Sequence, residues 1–231
     1  MYRDDSDFGT RRSLITGIGA AATGMALTAA APLRAQQSRR NSEPKRYAED
    51  SWLDEPDGDH RVFIDSARPE GGLEAVHYAA NILNAQVDDY GGKDSDFGMV
   101  ICFRRFSTPL GYNDAVWEKY GAAFNNALEF PDPQSGEPFA VNPLNLEGRR
   151  DLPNMGATIE SIAQRGVRFA ICRNATNAIS HMLARATGGS AGDIFKELTS
   201  SGITNSRFIP AGVMVTTRAQ EYGYSLLYSG L

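Results

Sequence analysis

Short apolar runs alternate with longer amphipathic stretches from residue 60 to the C-terminus. Runs rich in β-branched and aromatic residues predict five strands, at 60–67, 97–106, 167–172, 206–212 and 224–230. Stretches in which apolar residues recur every three or four positions predict helices at 71–92, 114–126, 155–166, 174–189, 191–202 and 213–223. Alternating strands and helices are typical of an α/β domain, so we expect a mostly parallel sheet of about five strands with helices on both faces.

Residues 1–35 have the pattern of an export signal rather than of a folded domain. Arg11 and Arg12 precede a Gly- and Ala-rich apolar stretch at 14–33, and Ala35 offers a small residue before a cleavage site. Paired arginines followed by Ser-Leu-Ile resemble a twin-arginine export signal, which predicts a periplasmic protein. The stretch also approaches the length of a membrane span, so its retention as an anchor stays open. After cleavage, no stable membrane span is expected.

Two further segments follow the predicted signal. Residues 36–59 are polar and charged with few apolar anchors, which predicts a flexible linker, although Trp52 and Leu53 could dock it locally. Residues 60–231 contain no internal repeat and are expected to form one α/β domain. Within this domain, residues 106–154 contain one short helix and then a Pro-, Gly- and Asn-rich loop. Loops of this length typically carry function or cover a subunit contact.

The charge and composition of the chain exclude several classes of function. The chain has 231 residues and a formal net charge of −5, so an extended basic surface for nucleic acid is not expected. Its two cysteines cannot form a disulfide scaffold, and its three scattered histidines do not resemble a zinc site. Glycine-rich phosphate loops, GxSxG elbows and HExxH motifs are missing from the sequence. We therefore expect no metal and no cofactor, and without these motifs a hydrolase or a redox enzyme is the weaker hypothesis.

Cys172 is the strongest candidate for chemistry because of its place in the predicted pattern. It ends a predicted strand, and Arg173 and Asn174 follow it, with Asn174 the expected N-cap of the next helix. Ligands of open parallel sheets collect at the carboxyl ends of strands, and a helix start together with Arg173 would favour a thiolate there. A buried, inert cysteine is the alternative. Cys102 lies mid-strand, where core packing is expected, although a disulfide between the two cysteines stays open for an exported protein.

Four further residues are candidates for binding. Arg104 and Arg105 directly follow an apolar strand, so at least one of them should reach the same sheet edge as Cys172. Two arginines there could hold an anion or a carboxylate from the long loop, or form a salt bridge that orders the loop. His77 lies at the border of the apolar stripe of its helix, with Asn81 one turn on. That pair predicts a hydrogen-bonded polar seam or, alternatively, a ligand site.

Several segments resemble the DsrE/DsrF-like family. The C-terminal half contains IESIAQRGVRFAICRNATNAI at 159–179 and FIPAGVMVTTRAQEYGYSLLY at 208–228, with a strand that ends in a cysteine and a later P-x-G-V. The segment VFIDSARPEGGLEAVHYAANILNA at 62–85 is similar to the first strand and Asn-bearing helix of the family. The segment RRFSTPLGYNDAVWEKYG at 104–121 resembles an insert of its exported members. Together these segments extend the resemblance over residues 60–231.

The resemblance implies a fold, an assembly and an activity. The fold would be a flavodoxin-like, three-layer α/β sandwich, and the assembly a homo-oligomer, either a trimer or a hexamer. In the sulfur-trafficking branch of the family a cysteine carries sulfur as a persulfide between partner proteins, and Cys172 matches that cysteine. One hypothesis is therefore an exported carrier that exchanges sulfane sulfur with a donor or acceptor protein, at most a sulfurtransferase-like enzyme. The other is a non-catalytic oligomeric binding module with a structural cysteine.

Overall fold

Five parallel strands form the centre of the structure, a computed structural model that describes residues 44–230. The strands are β1 (His60–Ser66), β2 (Phe97–Phe103), β3 (Arg168–Cys172), β4 (Ser206–Ile209) and β5 (Ser225–Ser229). They lie in the order β4-β3-β2-β1-β5, and every neighbouring pair is parallel. The compact unit that contains them begins at Arg46. The predicted export signal at 1–35 lies outside the described residues.

Within residues 44–230, six α-helices connect or flank the strands. They are α1 (Pro69–Asp88), α2 (Asp114–Leu128), α3 (Ile159–Ala163), α4 (Arg173–Thr187), α5 (Ala191–Ser200) and α6 (Gly212–Glu221). The predicted helix at 155–166 is shorter than expected, because Met155 and Gly156 adopt positive φ and Thr158 caps α3 only after this turn. No helix in this part of the chain is long and apolar enough to span a bilayer.

Two hydrophobic cores lie on opposite faces of the sheet and make the structure a three-layer sandwich. The larger core packs α1 to α5 against side chains such as Ile64 and Ile101, and the smaller core packs α6 against Phe63 and Val100. The chain moves from β1 to β4 in one direction and returns to β5 through α6, so right-handed crossovers place α6 on the other face. The predicted α/β class with flavodoxin-like layers is confirmed, although flavodoxin itself has the strand order 2-1-3-4-5.

The segment before β1 packs against the domain. Residues Ala48–Asp54 form a 3-10 helix whose Trp52 and Leu53 are buried in the smaller core. The hydroxyl of Tyr224 donates to the carbonyl oxygen of Leu53 at 2.8 Å, and burial raises the pKa of Tyr224 to about 12. The sequence predicts a flexible linker over 36–59, whereas residues 48–54 pack against the domain as a 3-10 helix. Trp52 and Leu53, the two residues that the sequence offers for local docking, are the anchors.

The long loop after α2 is ordered by one largely buried arginine. Arg149 forms ion pairs with Asp132 at 2.6 Å and with Asp151 at 2.8 Å. Phe139 from the same loop packs edge-on against Trp117 of α2, with 6.4 Å between the ring centroids. The loop therefore covers the outer face of α2 and completes the larger core.

Truncation of Leu53 measures how much the N-terminal segment contributes to stability. Leu53→Ala removes a fully buried side chain, so we expect the free energy of unfolding to fall by about 2–5 kcal/mol. Ser51→Ala, at an exposed position of the same segment, should change it by less than about 0.5 kcal/mol. Urea denaturation followed by circular dichroism measures both variants. Equally small effects would show that the segment behaves as a linker.

Candidate functional site

The connections of the sheet change direction between β3 and β4. The connection after β3 leads to α4 on one face, whereas the connection after β4 leads to α6 on the other face. Such a change of direction leaves space outside the strand ends, where ligands of open α/β sheets bind. Cys172, the last residue of β3, lies at this point and pairs with Ile209 in the sheet.

The sulfur of Cys172 accepts hydrogen bonds from the first turns of two helices. Its Sγ lies 3.4 Å from the backbone nitrogen of Ala175 in α4 and 3.3 Å from the backbone nitrogen of Gly212 in α6. Cys172 is itself the N-cap of α4. The prediction that Asn174 caps this helix is wrong, because α4 already begins at Arg173 and Asn174 lies within its first turn.

Both helix starts direct partial positive charge at this sulfur. The free N–H groups of a first turn, together with the helix dipole, stabilise an anion more than a neutral group. Helix α4 has 15 residues and α6 has 10, so both helices are more than two turns long. Cys172 is buried, with 6 % of its surface exposed. The arrangement suits a sulfur atom that carries negative charge.

A buried chain of hydroxyl groups fixes the backbone of Cys172. The Tyr112 hydroxyl donates to Thr176 Oγ1 at 2.9 Å, and the Thr176 hydroxyl donates to the carbonyl oxygen of Cys172 at 3.0 Å. Both side chains are fully buried, and burial raises the pKa of Tyr112 above its ordinary value. Because each hydroxyl in the chain is partnered, the cysteine is held in one backbone position.

Arg104 lies at the same sheet edge, but its charge is already paired. Its Nε and Nη2 each donate to the carboxylate of Asp65 in β1, both at 2.8 Å. The partner is thus a buried strand residue and not a carboxylate of the long loop. The stem of Arg104 packs against Gly212, where an added Cβ would lie 2.6 Å from the Arg104 Cβ. Arg104 therefore supports the start of α6, and its guanidinium is engaged within the protein.

The remaining predicted residues are dispersed around the site. Arg173 is exposed, with its guanidinium carbon 5.6 Å from the centroid of a phenylalanine ring in α5. Arg105 is exposed and has a left-handed backbone with φ 54°. His77 and Asn81 form a hydrogen bond of 3.1 Å to each other on α1. Among the described residues, no hydrogen bond joins this pair to Cys172 or its donors.

Cys102 differs from Cys172 in its environment. It is fully buried in β2, and burial raises the pKa of its thiol well above the ordinary value. Both cysteines are free, so the disulfide that the sequence leaves open is not formed in this structure. One thiol is therefore sealed in the core, and the other is hydrogen-bonded at the sheet edge.

Three groups of the site escape prediction from the sequence. The N–H donors of Ala175 and Gly212 carry no side-chain signal, and Asp65 is a single polar residue near the end of an apolar strand. One usable signal does exist, because the segment PAGV at 210–213 joins a strand directly to a helix. That junction places a second helix start at the sheet edge that contains Cys172.

The fold and the site define a class of protein, a doubly wound α/β domain with a cysteine at two helix starts. No group of three or more His, Cys, Asp or Glu side chains within residues 44–230 is arranged to hold a metal ion. No family model, curated protein or solved structure matches the chain. The geometry around Cys172 is therefore the main indication of function.

Removal of the Arg104 charge tests how much the ion pair between Arg104 and Asp65 stabilises the structure at the start of α6. Arg104→Met leaves Asp65 as an unpaired buried carboxylate, so we expect the free energy of unfolding to fall by about 3–5 kcal/mol. Arg168→Met breaks an exposed ion pair with Glu55 and should cost less than about 1 kcal/mol. Asp65→Asn, combined with Arg104→Met, should recover part of the loss. Urea denaturation measures all three, and equal losses for the two arginine variants would argue against this role of the buried pair.

Proposed function

We propose that the protein binds sulfane sulfur on Cys172 and passes it on as a persulfide. The observation that carries the proposal is the convergence of two backbone N–H groups, from Ala175 and Gly212, on one sulfur atom at a ligand-binding edge of the sheet. The thiolate is the nucleophile in sulfur exchange, and such donors favour the thiolate. The resemblance of residues 60–231 to the DsrE/DsrF-like family supports the same activity.

The proposed transfer conserves atoms and electrons. The Cys172 thiolate attacks the outer sulfur of a donor persulfide R–S–S⁻, the donor S–S bond breaks, and the donor leaves as the thiolate R–S⁻. Cys172 then carries an outer sulfur that bears the negative charge. An acceptor thiolate attacks this outer sulfur, the S–S bond to Cys172 breaks, and the Cys172 thiolate is regenerated. Because sulfur moves at one oxidation level, the transfer needs no external oxidant or reductant.

The limited exposure of Cys172 suits a carrier. A persulfide in open solvent exchanges with any thiol that reaches it, and exchange rates depend on access to the sulfur. With 6 % of the residue exposed, only a thiol that approaches the carboxyl ends of β3 and β4 closely can react. The surroundings of Cys172 would therefore restrict which donor and acceptor react.

Export and assembly form the second part of the proposal. The paired Arg11 and Arg12 and the apolar stretch at 14–33 support export to the periplasm by the twin-arginine route. The family resemblance supports a homotrimer or homohexamer. Exposed apolar side chains such as Val213 and Tyr228 are available for a subunit contact.

A structural cysteine is the second candidate role. The observation that favours it is the N-cap bond between Cys172 Sγ and Ala175, since a cap stabilises a helix without any chemistry. In that case the protein is a non-catalytic binding module, and Cys172 takes up no sulfur. The two roles therefore predict opposite results in a loading experiment.

Sulfur loading tests the persulfide proposal directly. After incubation with glutathione persulfide and alkylation, we expect the Cys172 peptide to gain about 32 Da for one added sulfur and the Cys102 peptide to gain none. Cys172→Ser should abolish the gain, whereas Cys102→Ala, the matched control, should keep it. Peptide mass spectrometry provides the measurement. No gain on Cys172, or an equal gain on both cysteines, would leave the structural role as the explanation.

Removal of one N–H donor tests whether the backbone stabilises the reactive sulfur. Ala175→Pro deletes the N–H that bonds Sγ, in a first turn where helices tolerate proline. Asn174→Pro is the matched control, because it deletes the neighbouring N–H, which bonds the carbonyl oxygen of Pro210. We expect Ala175→Pro to slow sulfur loading about tenfold, the equivalent of one charge-assisted hydrogen bond. The loading rate of Asn174→Pro should stay within about twofold of the unmodified protein.

Circular dichroism verifies that both proline variants keep their helices. Equal slowing in the two variants would show that proline perturbs the first turn of α4 in general. In that case the Ala175 N–H would have no specific part in the reaction.

A further inference from the structure

An apolar groove lies between α2 and α4 on the larger-core side of the sheet. We define it by its principal lining side chains, Phe106, Phe124, Leu128, Ile179 and Met182. Its volume is about 400 Å³, within the range of small-molecule sites, and sites of this kind are common between packed helices. Every residue that lines it is apolar apart from two arginines, Arg105 and Arg185. The groove thus combines an apolar floor with positive charge.

The two arginines are not neutralised by the protein. Neither guanidinium has a carboxylate partner among residues 44–230, in a chain whose formal net charge is −5. Arg185 lies in the last turn of α4, where a cation is favourable near the helix C-terminus. A helix C-terminus does not account for the unpaired charge of Arg105, because this residue follows β2 and lies in no α-helix. Its charge is therefore available to a ligand.

The backbone holds Arg105 in an unusual conformation at the groove. Its φ is 54°, a left-handed value that costs a non-glycine residue energy and often occurs at functional sites. Its guanidinium carbon lies 4.8 Å from the ring centroid of Phe106, a residue that is 42 % exposed. An exposed aromatic ring beneath an unpaired guanidinium offers an apolar contact beside an anion-binding group.

The geometry points to an aliphatic carboxylate as the occupant of the groove, with its carboxylate on Arg105 and its chain along α4. The lining runs from Ala175 to Arg185, eleven residues of helix, whose ends lie about 15 Å apart along the axis. A volume of about 400 Å³ accommodates on the order of a dozen non-hydrogen atoms at about 30 Å³ each. An unbranched carboxylate of medium length matches this length, this volume and this charge. The Cys172 side chain does not line the groove, although the groove begins at Ala175, whose N–H bonds the Cys172 sulfur.

Titration with octanoate tests this inference. We expect the methyl resonances of Met182 and Ile179 to shift saturably in nuclear magnetic resonance spectra of the protein. Arg105→Asn keeps a residue that tolerates left-handed φ but removes the charge, so octanoate affinity should fall about tenfold. The affinity for 1-octanol, which has no charge, should be unchanged in this variant. Arg173→Gln, the control at an exposed arginine outside the groove, should leave both affinities unchanged.

A blocking variant and the oligomeric state complete the test. Ala178→Glu adds bulk and negative charge at an exposed position of the groove and should abolish octanoate binding. Cys172→Ser should retain it, which separates this inference from the proposed function. Absence of saturable shifts, or equal octanoate affinity in Arg105→Asn, would overturn the inference. If Ala178→Glu instead dissociates an oligomer in sedimentation velocity, the groove is a subunit contact and the inference is wrong.

Discussion

The convergence of two helix starts on the sulfur of Cys172 is the constraint on which the rest of the site depends. It requires β3 and β4 to be neighbours whose connections leave toward opposite faces of the sheet, so that α4 and α6 both begin beside Cys172. It also requires glycine at position 212, because a Cβ there would collide with Arg104. Fold topology and one small residue together aim two N–H donors at one atom.

The surrounding polar groups keep this arrangement rigid. Asp65 and Arg104 form a bidentate pair beneath the start of α6, and Tyr112 and Thr176 hold the carbonyl oxygen of Cys172. A buried polar group without a partner is costly, so each of these pairs penalises any shift of the backbone. The two backbone donors that contact the sulfur are therefore held in place by the surrounding structure.

The sequence predicts the fold better than it predicts the site, and the reason is physical. Hydrophobic periodicity shows which positions are buried, and the spacing of the buried positions distinguishes strands from helices. The five strands were therefore predictable from their apolar runs alone. The sequence did not decide whether Trp52 and Leu53 dock their segment on the domain, because two apolar residues are a weak signal within a charged segment. The bond from Gly212 to Cys172 spans 40 residues of chain and uses a backbone donor, so no local pattern contains it. The N-cap was misplaced because cysteine is not among the favoured capping residues.

The central claim is that the edge thiol accepts two backbone N–H hydrogen bonds and reacts as a nucleophile, in contrast to the core thiol. The most direct measurement is the rate of iodoacetamide alkylation of each cysteine in the native protein and in the urea-unfolded chain, determined peptide by peptide. We predict that Cys172 reacts faster in the native protein than in the unfolded chain, and that Cys102 reacts only after unfolding. If Cys172 is protected in the native protein as Cys102 is, the claim is contradicted.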